Sequence, residues 1–429
     1  MMIDFFNKTN FNSLFFKLVI FFLISISSIY FYVIFNNLIN TSSYAYNELF
    51  INYQAGFIRR GLLGEIFWQL HEIFFIKPLT FFSYLFFILY LTQIYLFISI
   101  YKFYKSYNFI FLLIFFSPAL ILFTFYEPNL YFIKDVIVKL TILLHAYIII
   151  IRNKKKIDIY IKDLKIIILP ILTISILIHE YQVIFLSIHI LLSLTFANTK
   201  SEAIKILKIY LILVIPIILI LIFIGNLLQY ESLNLILKKF DITSVHPQLL
   251  GGFYKAVGGF YKWHFYYFGY KDFIQLLSSL FLGVGVFFFL FHYFIEKNIL
   301  ELTNYYQKNY LYFFIPTLLC FLLALDHGRN ISLLSTHLIS FYAILKIDIK
   351  KLDNLRKKIN SNFLLKCFLI IFLFFYIFMW RLDQMAGFGG AEQINTIFQS
   401  SIFAEIIKLI KFIYAYIDLN IINLPNINL

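Results

Sequence analysis

The sequence predicts an all-α, polytopic integral membrane protein with about 10–11 transmembrane helices. Three observations predict it. Of the 429 residues, 62% are hydrophobic and 14% charged, with a mean hydropathy of +0.85, more apolar side chain than a soluble fold can hide. The apolar residues gather into runs near the roughly 20 residues that cross a bilayer's hydrocarbon. Alternating ten-residue segments of the kind that build a transmembrane β-barrel do not occur. The net charge of +14 falls largely in short loops between apolar runs, so it reads as a topology signal rather than a nucleic-acid footprint. Cys320 and Cys367 both lie inside apolar runs, which argues against a disulfide framework.

Taken in order, the first run, Lys17 to Phe35, is long and is followed by no clear small-residue cleavage site, so it reads as a retained span. Further spans are expected over Leu79–Tyr101, Phe109–Phe125, Tyr131–Ile151, Ile209–Ile224, Phe273–Ile295, Leu311–Leu325, Ile331–Leu345 and Phe363–Trp380. The tract Ile166–Phe196 is different, because polar "HEYQ" (179–182) splits it. Each half has about 13–14 residues and covers roughly 20 Å, short of a bilayer, which predicts a re-entrant hairpin or two short spans beside a water-filled cavity. The chain reads as one membrane domain over 1–429. It carries an outer loop at 36–78, a large outer loop at 226–272, and an amphipathic C-terminal segment within 381–429 that either lies on the surface or spans.

Lysine and arginine orient these elements. The loops at 101–108, 152–156, 198–208 and 346–360 are basic and are expected in the cytoplasm. With a cytoplasmic N-terminus the count is consistent throughout, provided that 166–196 leaves and returns. Residues 36–78, "YEPN" (126–129), the "HEYQ" tip, 226–272, "DHGRN" (326–330) and 381–393 then fall on the extracytoplasmic face. Nearly every residue able to do acid–base or anion chemistry lies there. No Walker loop, dinucleotide fingerprint or metal-spaced Cys/His cluster occurs. No cofactor is implied; a divalent metal stays open without a motif to indicate it.

The most polar of these stretches is "INYQAGFIRRGLLGEIFWQLHEIFF" (51–75). Its helical period puts Leu62, Leu63, Ile66, Phe67, Leu70, Ile73 and Phe74 in one stripe and Glu65, Gln69 and Glu72 on another face, as in an interfacial helix. Arg59 and Arg60 stand at its N-terminus, where the dipole disfavours cations unless an anion joins them. That anion is either a substrate phosphate or a lipid headgroup. Lys134, Asp135 and Lys139 enter the outer end of a span, where Asp135 and Lys139, four apart, can pair. His179 and Glu180 sit deep at the hairpin tip, and a buried glutamate suits a general acid or base. Asp326 and Arg329 either pair with each other or serve a site. The repeat "GGFYKAVGGFYKW" places Tyr254, Tyr261 and Trp263 where they hold a sugar or lipid, or form an interfacial aromatic belt.

These motifs, "GFIRRGLLG" (56–64) with "IKD" (133–135), "HE" (179–180) and "DHGR" (326–329), resemble bacterial membrane proteins of envelope polysaccharide synthesis. Those include the O-antigen polymerases and GT-C-type glycosyltransferases. The resemblance implies transfer from a polyprenyl-phosphate or diphosphate sugar to a saccharide acceptor at the outer face, among membrane lipids and without nucleic acid. It also implies outer-face arginines that hold the lipid diphosphate, a role to which Arg59, Arg60 and Arg329 correspond, with Lys134 beside them. Glu180, Asp135, Asp326 or His179 would then serve as catalytic groups. GT-C enzymes use acids of the first outer loop, and here that loop has Glu48, Glu65 and Glu72 but no aspartate. A transporter or flippase of lipid-linked saccharides is the alternative, kept open by the "HEYQ" hairpin.

Overall fold

The computed structural model describes residues 9–36, 44–58, 60–101, 108–126, 131–152, 157–197, 199–223, 237–240, 276–294, 315–316, 319, 327–345 and 348–376. Every regular element among them is a helix, and the protein is an all-α membrane protein. Among the described residues, four helical stretches are long and apolar enough to cross a bilayer: Phe16–Phe35, Pro78–Tyr101, Lys200–Leu221 and Leu276–Phe294.

The chain opens with α1 (Thr9–Phe35), the short α2 (Tyr44–Glu48), α3 (Leu62–Phe74) and α4 (Pro78–Tyr101). Helix α4 starts at a proline, whose missing N–H costs nothing in a first turn. The expected span over 109–125 is not one helix. It divides into α5 (Asn108–Phe115) and α6 (Phe123–Tyr126), with turns over 117–122 between them. Pro118 cannot donate to a helical ladder and disfavours helix at the residue before it, and apolarity alone did not reveal that break. Next comes α7 (Asp135–Arg152), which packs against α4 on one side.

The tract around "HEYQ" is a hairpin. Its first arm runs from α8 (Ile157–Asp163) through a π turn at Leu164–Ile168 into α9 (Leu169–Ile178). Pro170 stands at the start of α9, and the widened turn before it accommodates the lost donor. His179 is extended (φ −152°, ψ 109°) and ends the arm. The chain returns through α10 (Tyr181–Ile184) and α11 (Leu186–Leu194). Tyr160 stacks on Phe196 at 4.1 Å while Ser175 bonds Gln182 at 3.0 Å, so the arms run antiparallel and close together. The first arm is longer than its apolar tract suggested: it begins at Ile157, has about 22 residues and extends roughly 33 Å. Asp158, Lys162 and Lys165 had masked it, but they project to the exposed side while Tyr160, Ile161, Leu164 and Ile168 turn inward.

Helix α12 (Lys200–Phe223) follows and packs on both arms. After it come a π turn at Phe281–Gly285 leading into α13 (Val286–Phe294), then α14 (His327–Ile344), α15 (Ile349–Ser361) and α16 (Phe363–Phe374). Asp348 and Asn362 cap α15 and α16 by accepting from Lys351 N and Leu365 N. Helices α7 and α14 lie face to face at the centre, flanked by α4 and the hairpin. The core therefore combines two apolar clusters with a polar seam. In α14, Arg329, Asn330, Ser332, Ser335, Thr336, His337 and Ser340 are all buried. Such residues inside a membrane protein face its interior because lipid cannot solvate them.

Helix α3 is amphipathic. Leu63 and Phe67 of its apolar stripe pack inward with Gly64 and Trp68, whereas Ile66, Ile73 and Phe74 are exposed. Gly64 is the reason. Its Cα edge meets the backbone of Leu49 and Ile51 so closely that a Cβ would collide with the Ile51 carbonyl. The helix docks through this glycine and turns part of its apolar stripe outward.

Candidate functional site

Five segments meet beside α3: the end of α2, the turn at Arg60, the start of α7, the hairpin tip and the first turn of α14. Each brings a charge. Arg60 adopts φ 66°, a left-handed conformation costing on the order of 1–3 kcal/mol for a non-glycine residue. Its side chain is held from two sides. Nη1 donates to Glu48 Oε1 at 2.5 Å, and Nε donates to both carboxylate oxygens of Glu180 at 2.7 and 2.6 Å. Nη2 also donates to Glu180. Lys134 fixes the backbone beneath, donating from Nζ to the carbonyls of Glu48 and Arg60 at 3.1 and 3.0 Å.

A second ion pair adjoins the first. Asp135 accepts from Arg329 Nε and Nη2, both at 2.9 Å, a bidentate arrangement that Arg geometry favours. Its Oδ1 also accepts from His179 Nε2 at 3.0 Å, which assigns the imidazole proton to that nitrogen. His179 Nδ1 lies 3.8 Å from Glu180 Oε2 and has no hydrogen-bond partner among the described residues. Arg329 lies over the Tyr181 ring, 5.9 Å from its centroid. One turn along α7, Lys139 Nζ donates to Ser332 Oγ at 2.7 Å and stands over Phe123.

Burial grades this cluster. The Asp135 and Arg329 side chains are 2% and 4% exposed, Arg60 8%, and Glu180 19%. Glu180 is thus the carboxylate through which the cluster reaches the surface. Among the described residues, four cations (Arg60, Lys134, Lys139, Arg329) face three carboxylates (Glu48, Asp135, Glu180), an excess of one positive charge. Burial pushes the Glu48 carboxyl up, but the positive charges of Arg60, Lys134 and Arg329 outweigh it and hold the group at about 2.

Compared with protein families, curated proteins and solved structures, the chain matches none. The site's chemistry therefore has to be read from its own geometry. Of the residues singled out in the sequence, Arg60, Lys134, Asp135, His179, Glu180 and Arg329 come together. Arg59, Asp326, Tyr254, Tyr261 and Trp263 lie outside the described residues. One expected pairing is corrected. Asp135 does not pair with Lys139, because Arg329 and His179 saturate it, and Lys139 turns to Ser332. Arg329 holds Asp135, 194 positions away. At Arg60, the chain's own Glu48 and Glu180 occupy the anion position expected beside α3.

In the sequence Glu48 stands out only as one acid of the first outer loop. Glu65, another acid of that loop, plays a different part. It accepts from Tyr53 N at 3.0 Å and Gln54 Nε2 at 2.7 Å, and so pins the loop to α3. Among the described residues no three His, Cys, Asp or Glu are arranged to hold a metal ion.

Proposed function

We propose that the chain is a glycosyltransferase or polysaccharide polymerase of a bacterial cytoplasmic membrane. It has its N-terminus in the cytoplasm and acts at the extracytoplasmic face on a polyprenyl-phosphate or diphosphate sugar. One observation carries this reading. Glu180 is the accessible carboxylate of an otherwise buried, net-cationic cluster, and it is clamped by the arginine that an anionic donor would need. In this mechanism the donor's phosphates compete with Glu180 for Arg60. Binding exchanges one anion for another on the guanidinium and releases Glu180 as a base. Glu180 then takes the proton of the acceptor hydroxyl as its oxygen attacks the anomeric carbon. The bond from that carbon to the phosphate oxygen breaks, and the lipid phosphate departs with the electron pair. Arg60, backed by Lys134, offsets the charge developing on the leaving group, a preorganised electrostatic contribution. Asp135 and Arg329 hold His179 and with it the hairpin tip.

The test is turnover by the purified full-length protein with a polyprenyl-diphosphate sugar and a saccharide acceptor. Glu180→Gln is expected to lower kcat by about 10²–10⁴-fold, the usual worth of a general base. Unchanged surface polysaccharide from normally expressed Glu180→Gln and Arg60→Ala proteins would refute the proposal. A transporter or flippase is the second reading, favoured by the helix break at His179 and its polar surroundings. It predicts movement of the lipid-linked saccharide across vesicles without cleavage of its glycosyl phosphate bond.

A further inference from the structure

One buried acceptor of the charge cluster has no partner, and it bears on what the site can bind. The His179 side chain is fully buried, yet its Nδ1 has no hydrogen-bond partner among the described residues. The other ring nitrogen is committed. Nε2 lies 3.0 Å from Asp135 Oδ1, while Arg329 Nη2 lies 3.4 Å from Nε2 and 2.9 Å from that same carboxylate oxygen. The guanidinium proton therefore goes to the carboxylate, and Nε2 keeps its own. The resulting tautomer leaves a lone pair, not a proton, on Nδ1. The ring is not free to turn away. Tyr181 stands edge-on against it with 5.0 Å between centroids, and the His179 backbone N–H is bonded to the Ser175 carbonyl at 2.8 Å.

Nδ1 faces Glu180 Oε2 at 3.8 Å. Two acceptors meet there, so the contact satisfies neither. Buried polar atoms are rarely left unpaired. What distinguishes this one is its place, because it opens onto the carboxylate that an anion would displace. Glu180 fills the space between the Arg60 guanidinium on one side and this lone pair on the other. Whatever takes the place of the carboxylate meets a cation and, beside it, a hydrogen-bond acceptor. A bare anion answers only the first. We propose that His179 is a specificity-determining residue for glycosyl phosphates: Nδ1 accepts a hydrogen bond from the hydroxyl on the sugar carbon next to the anomeric one. That hydroxyl is the ring donor nearest the phosphate. An acetamido group on the same carbon offers an N–H in its place, so N-acetylated sugars satisfy the same acceptor. Asp135 acts through His179, since its carboxylate decides which nitrogen carries the proton. This role presupposes the anion exchange at Arg60 proposed above and does not depend on the transfer step.

The experiment is calorimetric titration of the purified full-length protein in maltoside micelles at pH 8. The probes are α-D-glucose 1-phosphate, its 2-deoxy-2-fluoro analogue and cyclohexyl phosphate. All three are dianions at that pH, so none keeps a phosphate proton to offer Nδ1. Wild type is expected to bind glucose 1-phosphate at least about tenfold tighter than cyclohexyl phosphate, which leaves the buried acceptor unpaired. The fluoro sugar keeps the other hydroxyls and should lose that advantage. His179→Leu should abolish the preference while binding cyclohexyl phosphate as wild type does. His179→Gln, whose NH2 can donate to Asp135 and whose oxygen can accept, should restore part of it. A merely structural histidine would weaken all three ligands alike. Should His179→Leu fail to fold, the fluoro sugar on wild-type protein decides the matter. Equal binding of glucose 1-phosphate and its fluoro analogue overturns the proposal and leaves the anion exchange standing, as does a preference that survives His179→Leu. If none of the phosphates binds, or if Arg60→Ala binds them as well as wild type, the proposal and the anion exchange fall together.

Discussion

Asp135→Asn isolates what the Asp135–Arg329 pair contributes. The substitution is isosteric and opens no cavity. It removes the negative charge that Arg329 Nε and Nη2 donate to, and the new NH2 must face either the guanidinium or His179 Nε2–H, donor against donor. Both side chains are nearly inaccessible, at 2% and 4% exposure, so water does not relieve the conflict. An uncompensated buried guanidinium costs about 3–5 kcal/mol. Arg329→Met alone should cost a similar amount, because Asp135 then loses both hydrogen bonds of the guanidinium. The double variant Asp135→Asn/Arg329→Met removes both members of the pair, so its cost should fall short of the sum of the singles by about 2–3 kcal/mol. The assay is reversible unfolding in mixed micelles of rising SDS fraction, followed by far-UV circular dichroism. Additivity of the two singles to within about 0.5 kcal/mol would refute the reasoning, since it would show that the two side chains do not depend on each other.

Gly64→Ala drives a methyl into the backbone at Ile51 and should destabilise by about 1–3 kcal/mol, read in the same unfolding assay, whereas a neutral result would mean that α3 does not dock through this edge. Glu65→Ala removes the acceptor of Tyr53 N and Gln54 Nε2; a loss of about 1–3 kcal/mol and faster proteolysis within 51–58 are expected, and limited proteolysis with mass spectrometry reads it. Glu48 has a folded-state value of about 2, below its ordinary 4.5, so the stability it contributes is complete above 4.5 and disappears as pH falls toward 2. Wild type should therefore lose melting temperature more steeply than Glu48→Gln over that acid range, and parallel curves from pH 5 to pH 3 would contradict the assignment.

The class and most of the helices were legible in the sequence because the bilayer imposes one rule, that apolar length sets a span. The rule failed where backbone chemistry overrode composition. Pro118 ended a run that looked continuous, and Asp158, Lys162 and Lys165 hid the beginning of an arm whose opposite face is mostly apolar, with Asp163 buried on it. The convergence of "IRR", "IKD", "HE" and "DHGR" was also legible, since a charge in so greasy a chain must find another. The partners were not. Arg329 holds a carboxylate 194 positions away, which only tertiary packing decides. His145, His189 and His337 stand singly in apolar stretches with no spacing motif. The signal that would have found them is only that an ionisable side chain within a span is functional by default.

Four consecutive residues join the charge cluster to the interior of the hairpin, the first three holding the cluster and the fourth, Gln182, reaching His189. His179 holds Asp135, Glu180 holds Arg60, Tyr181 underlies Arg329, and Gln182 holds His189. No regular helix places four successive side chains on four such partners, because successive residues point about 100° apart. The extended backbone at His179 makes it geometrically feasible by separating the tip from α9. The same break denies the tip the rigidity of a continuous helix, so the tip is held by its side chains. An anion that displaces Glu180 from Arg60 removes one of those four holds. Gln182 lies two residues away, in the short return helix α10. A ligand at the charge cluster is thereby linked to His189 inside the hairpin through a single tetrapeptide. On that geometry, inorganic diphosphate added to the purified protein should change amide hydrogen exchange at the hairpin tip in wild type and leave it unchanged in Arg60→Ala.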